Sequence, residues 1–279
     1  MTGEVIPPAS ARLGAFFRRA EAVSRFARAI TVTNNHGGSA QLGSLTASAL
    51  LVRRGIEPIW VCLTRDQNRL AIESDFIAAE VLDVRNVLCL RGDRFPEGVQ
   101  AKAVHDLGTF DLIRLAAARR DAGAPFFVGA ALDLTSVPPD RAAEQAARRV
   151  EAGAEFLITQ PVYEAELVAA FLDCARTALP RPVALIVGMM PLLSREAVAR
   201  VPGRLRIVIA EQVTRRIAEA EDPHREGLAV FAETLRDLRA IRGVSGVNLM
   251  LFGFKPETAE AVHQLISRIL QETPAAGAR

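Results

Sequence analysis

The chain has 279 residues, half of them hydrophobic, a length that suits one large core of about 250 residues or two smaller ones. Its 34 Lys and Arg nearly cancel its 32 Asp and Glu, and the charges are scattered through helical segments, which speaks against nucleic acid as a partner. No apolar run reaches the roughly 18 residues of a membrane helix, and Met1-Thr2-Gly3-Glu4 lacks the charged-then-apolar order of a secretory signal, so no membrane association and a cytoplasmic location are expected.

Apolar runs bounded by turn residues alternate with amphipathic stretches, the pattern of repeated βα units. Eight strands are predicted, over 3–6, 29–33, 58–63, 86–90, 125–131, 155–159, 183–188 and 246–251. Helical patterns lie between them at 39–54, 68–82, 141–152 and 165–178, the third preceded by the helix-start signal Pro138-Pro139-Asp140. After the seventh strand the connection is longer, with helical pieces at 194–200, 211–220 and 225–239 punctuated by Pro202-Gly203 and Asp222-Pro223. The expected fold is α/β, a single (β/α)8 TIM barrel over 1–272 with an elaborated segment after strand 7 and a flexible C-terminal tail at 273–279. That segment could cover a substrate or, with an exposed apolar face, promote a homo-oligomer.

Cys62, Cys89 and Cys174 are isolated and read as small core hydrophobes. His36, His105, His224 and His263 show no paired ligand spacing, so no metal is expected. Walker, GxGxxG and GxSxG signatures are absent, and nothing builds an evident nucleophile.

Barrel enzymes keep their chemistry at strand carboxyl ends. Here the exits carry Glu4 before Pro7-Pro8, Thr33-Asn34-Asn35-His36-Gly37-Gly38, Thr64-Arg65-Asp66, Arg91-Gly92-Asp93, Leu132-Asp133 and Thr159-Gln160-Pro161. Each also has a plainer reading. Glu4 is either a frayed terminal residue or an inward carboxylate able to hold a proton near neutral pH. Gly37-Gly38 is either a turn or a close approach to phosphate at the start of a helix opening at Ser39. Gln160 is a cap or a donor and acceptor for a planar heterocycle. Arg65 and Arg91 are solvated or suited to a diphosphate or polycarboxylate. Such a rim of amides, hydroxyls and carboxylates fits a cofactor that does the hard chemistry while the protein orients it.

Taken in order, Glu4-Val5-Ile6-Pro7-Pro8, Thr31-Val32-Thr33-Asn34-Asn35, Arg65-Asp66-Gln67-Asn68-Arg69, Arg85 to Asp93, Val150-Glu151-Ala152-Gly153-Ala154, Thr159-Gln160-Pro161-Val162-Tyr163 and Gly246-Val247-Asn248 form a specific series. The chain resembles the methylenetetrahydrofolate reductases, flavin-dependent barrel enzymes of one-carbon metabolism and methionine biosynthesis, especially the short bacterial forms of acetogens and methylotrophs. The resemblance implies FAD as cofactor, NAD(P)H as electron donor or acceptor, and a folate substrate interconverted between 5,10-methylenetetrahydrofolate and 5-methyltetrahydrofolate. It makes Glu4 the proton donor on the N5 side and gives Asp93 a catalytic place between flavin and pterin. Gln160, Asp93 and Tyr163 would meet folate. Thr33, Asn34, Thr64, Arg65, Arg91 and Gly92 would contact the flavin, as would Leu132, Arg149, Ile158 and Thr159.

The chain departs from the family pattern at three places. Val61 stands where a histidine contacts the flavin, Leu132 where a tyrosine covers it, and Ala142 where an acidic residue meets the ribose, with Asp140 or Glu144 nearby. Two alternatives stay open: a folate-binding subunit whose flavin is reduced by a partner protein, and a barrel with weak or lost flavin binding.

Overall fold

The structure is a computed structural model and describes residues 1–251 and 256–272. The expected tail at 273–279 lies outside the described residues. Eight parallel strands close in sequence order into a barrel. They are β1 (Thr2–Val5), β2 (Ala29–Val32), β3 (Pro58–Leu63), β4 (Asn86–Leu90), β5 (Phe127–Leu132), β6 (Phe156–Pro161), β7 (Ala184–Met189) and β8 (Val244–Leu249). Between them run α1 (Gly14–Ser24), α2 (Ser44–Val52), α3 (Arg69–Val81), α4 (Thr109–Asp121), α5 (Pro139–Glu151) and α6 (Ala165–Ala178). The connection from β7 to β8 holds α7 (Arg195–Leu205), α8 (Glu211–Glu219) and α9 (Pro223–Ala240), and α10 (Pro256–Gln271) follows β8.

Helix starts follow local chemistry. The Asn68 side chain caps α3 by accepting from the Ala71 amide at 3.0 Å, and Ser194 does the same for α7 through Ala197 at 3.1 Å. Asp222 caps α9 by accepting from the His224 and Arg225 amides, with Pro223 in the first turn where its missing N–H costs nothing. The ends of β3 and β4 fall where expected, the ends of the other strands shift by at most two residues, and the start of α2 and the end of α7 move further. The helix expected from Ser39 begins at Ser44, because Asn35 (φ 44°), Gly37 (φ 68°) and Gly38 (φ 76°) take left-handed backbone and His36–Gly38 form a single 3-10 turn. The sixth strand extends to Pro161, so Gln160 is a strand residue and not part of the following loop.

The chain divides into two compact units, residues 1–131 with 148–157 and residues 132–147 with 158–279. In the first unit, Val5, Ile30 and Val32 pack with Phe16, Ala20, Ala47 and Leu51 of the covering helices. Trp60 meets Phe76 of α3 edge-on at 5.1 Å. Successive strand residues alternate faces, so Glu4, Thr31, Ile59, Val61 and Leu63 point the other way, into the barrel. Phe127 and Phe156 stack at 4.9 Å, and Gly129 leaves room for the Phe156 ring.

In the second unit, β7 pairs with β8, and Met190, Leu192, Val198, Ile217 and Val230 form a cluster that also takes up Val201, Leu205, Ile209 and Val213. The elaborated segment therefore turns most of its apolar residues inward, with Val208 an exposed exception. The exposed apolar stripe lies instead on α3, where Leu70, Ile77 and Val81 recur at helical spacing. Among the described residues no helix is long and apolar enough to cross a membrane.

A Cβ at Gly129 would lie 2.1 Å from the Phe156 ring, a rigid group with nowhere to swing. Gly129→Ala should therefore lower the unfolding free energy by about 1–3 kcal/mol, measured by urea titration, and Phe156→Leu in the same chain should recover most of the loss. An additive double variant would show that the two residues do not compete for that space.

Candidate active site

In the first unit, the β1–β2 register pairs Glu4 with Thr31, and the alternation described above turns both side chains to the barrel interior. Glu4 is partly exposed, while Thr31 is buried and its hydroxyl has no hydrogen-bond partner among the described residues. A buried hydroxyl left unpaired is costly, and native structures keep few of them. Thr33 sits at the strand end, where its amide donates to the Val5 carbonyl at 3.1 Å and its hydroxyl to the same oxygen at 3.4 Å. The next residue, Asn34, accepts from the Ser44 amide at 3.5 Å, and its amide nitrogen has no partner among the described residues.

The exit of β3 is organised by a buried cation. Arg65 is 2% exposed, and each of its three guanidinium nitrogens donates to a protein acceptor. Nε donates to Asp66 Oδ1 at 2.5 Å and Nη2 to Asp66 Oδ2 at 3.0 Å; Nη2 also reaches the Asn35 carbonyl at 3.3 Å, and Nη1 the Asp93 carbonyl at 3.1 Å. The guanidinium carbon lies 4.4 Å from the centre of the Phe95 ring. Asn35 Nδ2 donates to Asp66 Oδ2 at 2.9 Å. Burial pushes the Asp66 carboxyl up, but the hydrogen bonds from Arg65 and Asn35 outweigh it and hold the group below its ordinary value of 3.8.

Thr64, also buried, donates to the Arg91 carbonyl at 3.3 Å and lies 3.3 Å from His105 Nδ1. The Val104 and His105 amides donate back to the Arg65 and Thr64 carbonyls at 2.7 and 3.0 Å. The loop that leaves β4 is thus laid beside the β3 exit, and it presents Arg91 and Asp93 with exposed side chains that have no partner among the described residues. Between them, Gly92 takes φ 85°, and a Cβ there would come within 2.9 Å of the Arg65 Cβ.

Arg149, in the last turn of α5, stands apart from this group. Its Nε donates to the Ala131 carbonyl at 2.8 Å, and burial followed by the nearby Arg148 charge holds it below the ordinary arginine range. In the second unit, Ile158, Thr159 and Gln160 are consecutive on β6. The Thr159 hydroxyl donates to the Gln160 carbonyl at 2.7 Å and accepts from the Gly188 amide at 2.9 Å, whereas the Gln160 side-chain amide has no partner among the described residues. Leu132 is buried, and Asp133 is committed to a local turn through Thr135 and Ser136. The Tyr163 hydroxyl is buried without a partner, and burial pushes its pKa up. Tyr163 also lines a cavity of about 360 Å³ with Glu164, Glu166, Gln212, Arg216, Glu233 and Asp237. Thr31, Asp66, Phe95 and His105 are the participants that the sequence reading did not single out; the left-handed His105 (φ 47°) has no signature in the letters. Among the described residues no cluster of His, Cys, Asp and Glu could hold a metal ion.

A closed parallel barrel of eight strands alternating with helices defines a TIM-barrel protein, and its strand exits carry amide, guanidinium and carboxylate groups that are unpaired among the described residues. The methylenetetrahydrofolate reductase family model matches residues 1–269, and the chain belongs to that family. A curated relative from Caenorhabditis elegans, a probable methylenetetrahydrofolate reductase (NADPH), is 30% identical over 140 residues, which is 48% of this chain and 20% of that protein. The matched stretch therefore spans a fifth of the curated relative's length. A solved structure from Clostridium thermocellum, described as an uncharacterized protein that binds two copies of 5-methyl-5,6,7,8-tetrahydrofolic acid, shares the fold with a TM-score of 0.66 and 15% identity, over 96% of this chain and 94% of that one.

Because the Asp66 pKa is depressed in the folded state, its pairing stabilises the fold above the unfolded value of 3.8 and is lost as pH falls through the lower folded value. Asp66→Asn should therefore be less stable than the parent near neutral pH and should lose less further stability on acidification below about pH 4. Urea unfolding at a series of pH values measures this, and an unchanged acid slope would remove Asp66 from the account.

Proposed function

We propose that this chain interconverts 5,10-methylenetetrahydrofolate and 5-methyltetrahydrofolate, with Glu4 as the proton donor. The observation that carries the reading is the placement of Glu4, a carboxylate turned into the barrel beside a buried hydroxyl that lacks a partner, in a chain of this family. A structural neighbour that binds 5-methyl-5,6,7,8-tetrahydrofolic acid is consistent with a folate ligand. In this reading Glu4 protonates the folate nitrogen, opening the five-membered ring to the 5-iminium cation that accepts hydride. Asp93, with its carboxylate exposed at the β4 exit, and Gln160, with its free amide on β6, hold the pterin through hydrogen bonds. Tyr163, three residues beyond Gln160, is the third proposed folate contact. The reaction is chemically reversible, so the same groups serve methyl oxidation.

The free donors fit a flavin. The Asn34 amide and the Arg91 guanidinium are unpaired among the described residues. Asn34, Arg91 and Gly92 would hold FAD together with Thr33, Thr64, Ile158 and Thr159. A bound flavin would supply the hydride, drawn from NAD(P)H in one direction of the reaction. The Arg65 and Arg149 guanidinium groups, engaged with protein acceptors, would act on it only at second hand.

The absorbance spectrum of the purified protein is the first measurement: flavin bands are expected, and a colourless protein that still binds folate would favour a folate-binding barrel instead. Oxidation of NADH without any added protein would set aside the electron-transfer-subunit alternative. Glu4→Gln should slow the folate half-reaction by about 10²- to 10⁴-fold while flavin reduction by NAD(P)H stays near the parent rate. Rapid-mixing kinetics of the two half-reactions separates them, and equal losses in both would sink the assignment of Glu4.

A further inference from the structure

We propose that Arg65 is a positioning residue that sets the place of the Asp93 carboxylate, so that its effect on folate recognition passes through Asp93. The inference rests on the reading of Asp93 as a pterin contact. Three observations support it. Arg65 Nη1 donates to the Asp93 main-chain carbonyl at 3.1 Å, so the guanidinium holds the backbone that carries the carboxylate. The stem of Arg65 fills the space where a Gly92 side chain would be, with 2.9 Å between the Arg65 Cβ and an added Gly92 Cβ. The Phe95 ring, two residues beyond Asp93, lies on the guanidinium at 4.4 Å. The loop is therefore held at Gly92, Asp93 and Phe95 by one cation, which is itself fixed from behind by both Asp66 oxygens and the Asn35 carbonyl.

A guanidinium so placed cannot turn outward to a phosphate without breaking these bonds and leaving the Asp66 carboxylate unmatched. Lysine is no substitute, because a single ammonium cannot serve acceptors spread over three strand exits as a planar fork does. Asp93, in contrast, has a side chain with no partner among the described residues, as expected of a group kept for a ligand.

The experiment is a double-mutant cycle read as the dissociation constant of 5-methyltetrahydrofolate, titrated against the full chain by calorimetry. Arg65→Lys and Asp93→Asn should each weaken binding by about tenfold, and the double variant should bind no more weakly than Asp93→Asn alone. Multiplying losses would overturn the positioning role and leave Asp93 as a folate contact. Wild-type affinity in Asp93→Asn would overturn the reading of Asp93 and the positioning role with it. Should Arg65→Lys fail to fold, Phe95→Leu replaces it, since that change removes only the ring on the guanidinium. It should weaken binding severalfold in the parent and have no effect in the Asp93→Asn background. Equal loss in both backgrounds, or none in the parent, would overturn the proposal.

Discussion

A guanidinium that is 2% exposed constrains everything within its reach. Removing a charge from water costs several kcal/mol, and only a complete set of acceptors in good geometry offsets it. Arg65 makes four of its five possible hydrogen bonds, to its sequence neighbour Asp66, to Asn35 on the β2 exit and to Asp93 on the β4 exit. None of these can move far without leaving part of a buried cation unmatched. The left-handed backbone of Asn35 and Gly92 follows from the same demand, because each turns a loop so that a carbonyl faces the guanidinium or a main chain passes over its stem. The three loops are therefore joined into one polar assembly through the Arg65 guanidinium, with the Phe95 ring lying against it.

The barrel interior divides its work along the strands. Toward the amino ends the space is filled by the stacked Phe127 and Phe156, with Gly129 left bare to admit the ring. Farther along the strands stand Glu4 and Thr31, polar groups in an interior otherwise lined by Ile59, Val61 and Leu63. A carboxylate tolerates such a place only when it is partly solvated, hydrogen-bonded or protonated. Glu4 is partly exposed, and Thr31 has its hydroxyl on the neighbouring strand at the paired position. The outward faces of the same strands carry none of this burden and are uniformly apolar, as Val5, Ile30, Val32 and Trp60 show.

The strands were legible because a buried parallel strand is a short β-rich apolar run closed by turn residues, and 58–63 and 86–90 match the observed β3 and β4 at both ends. Helix α6 is equally plain, with its apolar residues at helical spacing over 165–178. Boundaries slipped where backbone conformation overrode pattern. The amphipathic reading from Ser39 did not register that Asn35, Gly37 and Gly38 would spend residues 36–43 on a turn, with Gln41 donating its amide to Asn35 Oδ1. The positions of Glu4, Asp93 and Gln160 near strand carboxyl ends were legible, with Glu4 in β1, Gln160 in β6 and Asp93 just beyond β4. The inward turn of Arg65 was not, because an Arg-Asp pair reads the same whether it is buried or solvated. Its direction depends on Asn35 and Asp93, which lie 30 and 28 residues away.

Two of the three departures from the expected pattern, Val61 and Leu132, bear on what the strand exits can offer a ligand. Val61 and Leu132 are 3% and 1% exposed and apolar, so neither can supply the polar contact that a histidine or tyrosine would. Thr33, Thr64 and Thr159 have hydroxyls already engaged within the fold. Besides the buried Thr31 and Tyr163 hydroxyls, the side-chain groups discussed above that have no partner among the described residues are the Asn34 amide, the Arg91 guanidinium, the Asp93 carboxylate and the Gln160 amide, all at strand exits. Two of these four lie on the loop held by Arg65, so any affinity they provide depends on how firmly that loop is fixed before the ligand arrives. With those hydroxyls engaged and Val61 and Leu132 apolar, a preorganised loop is the means by which the fold can present the Arg91 and Asp93 groups to a ligand.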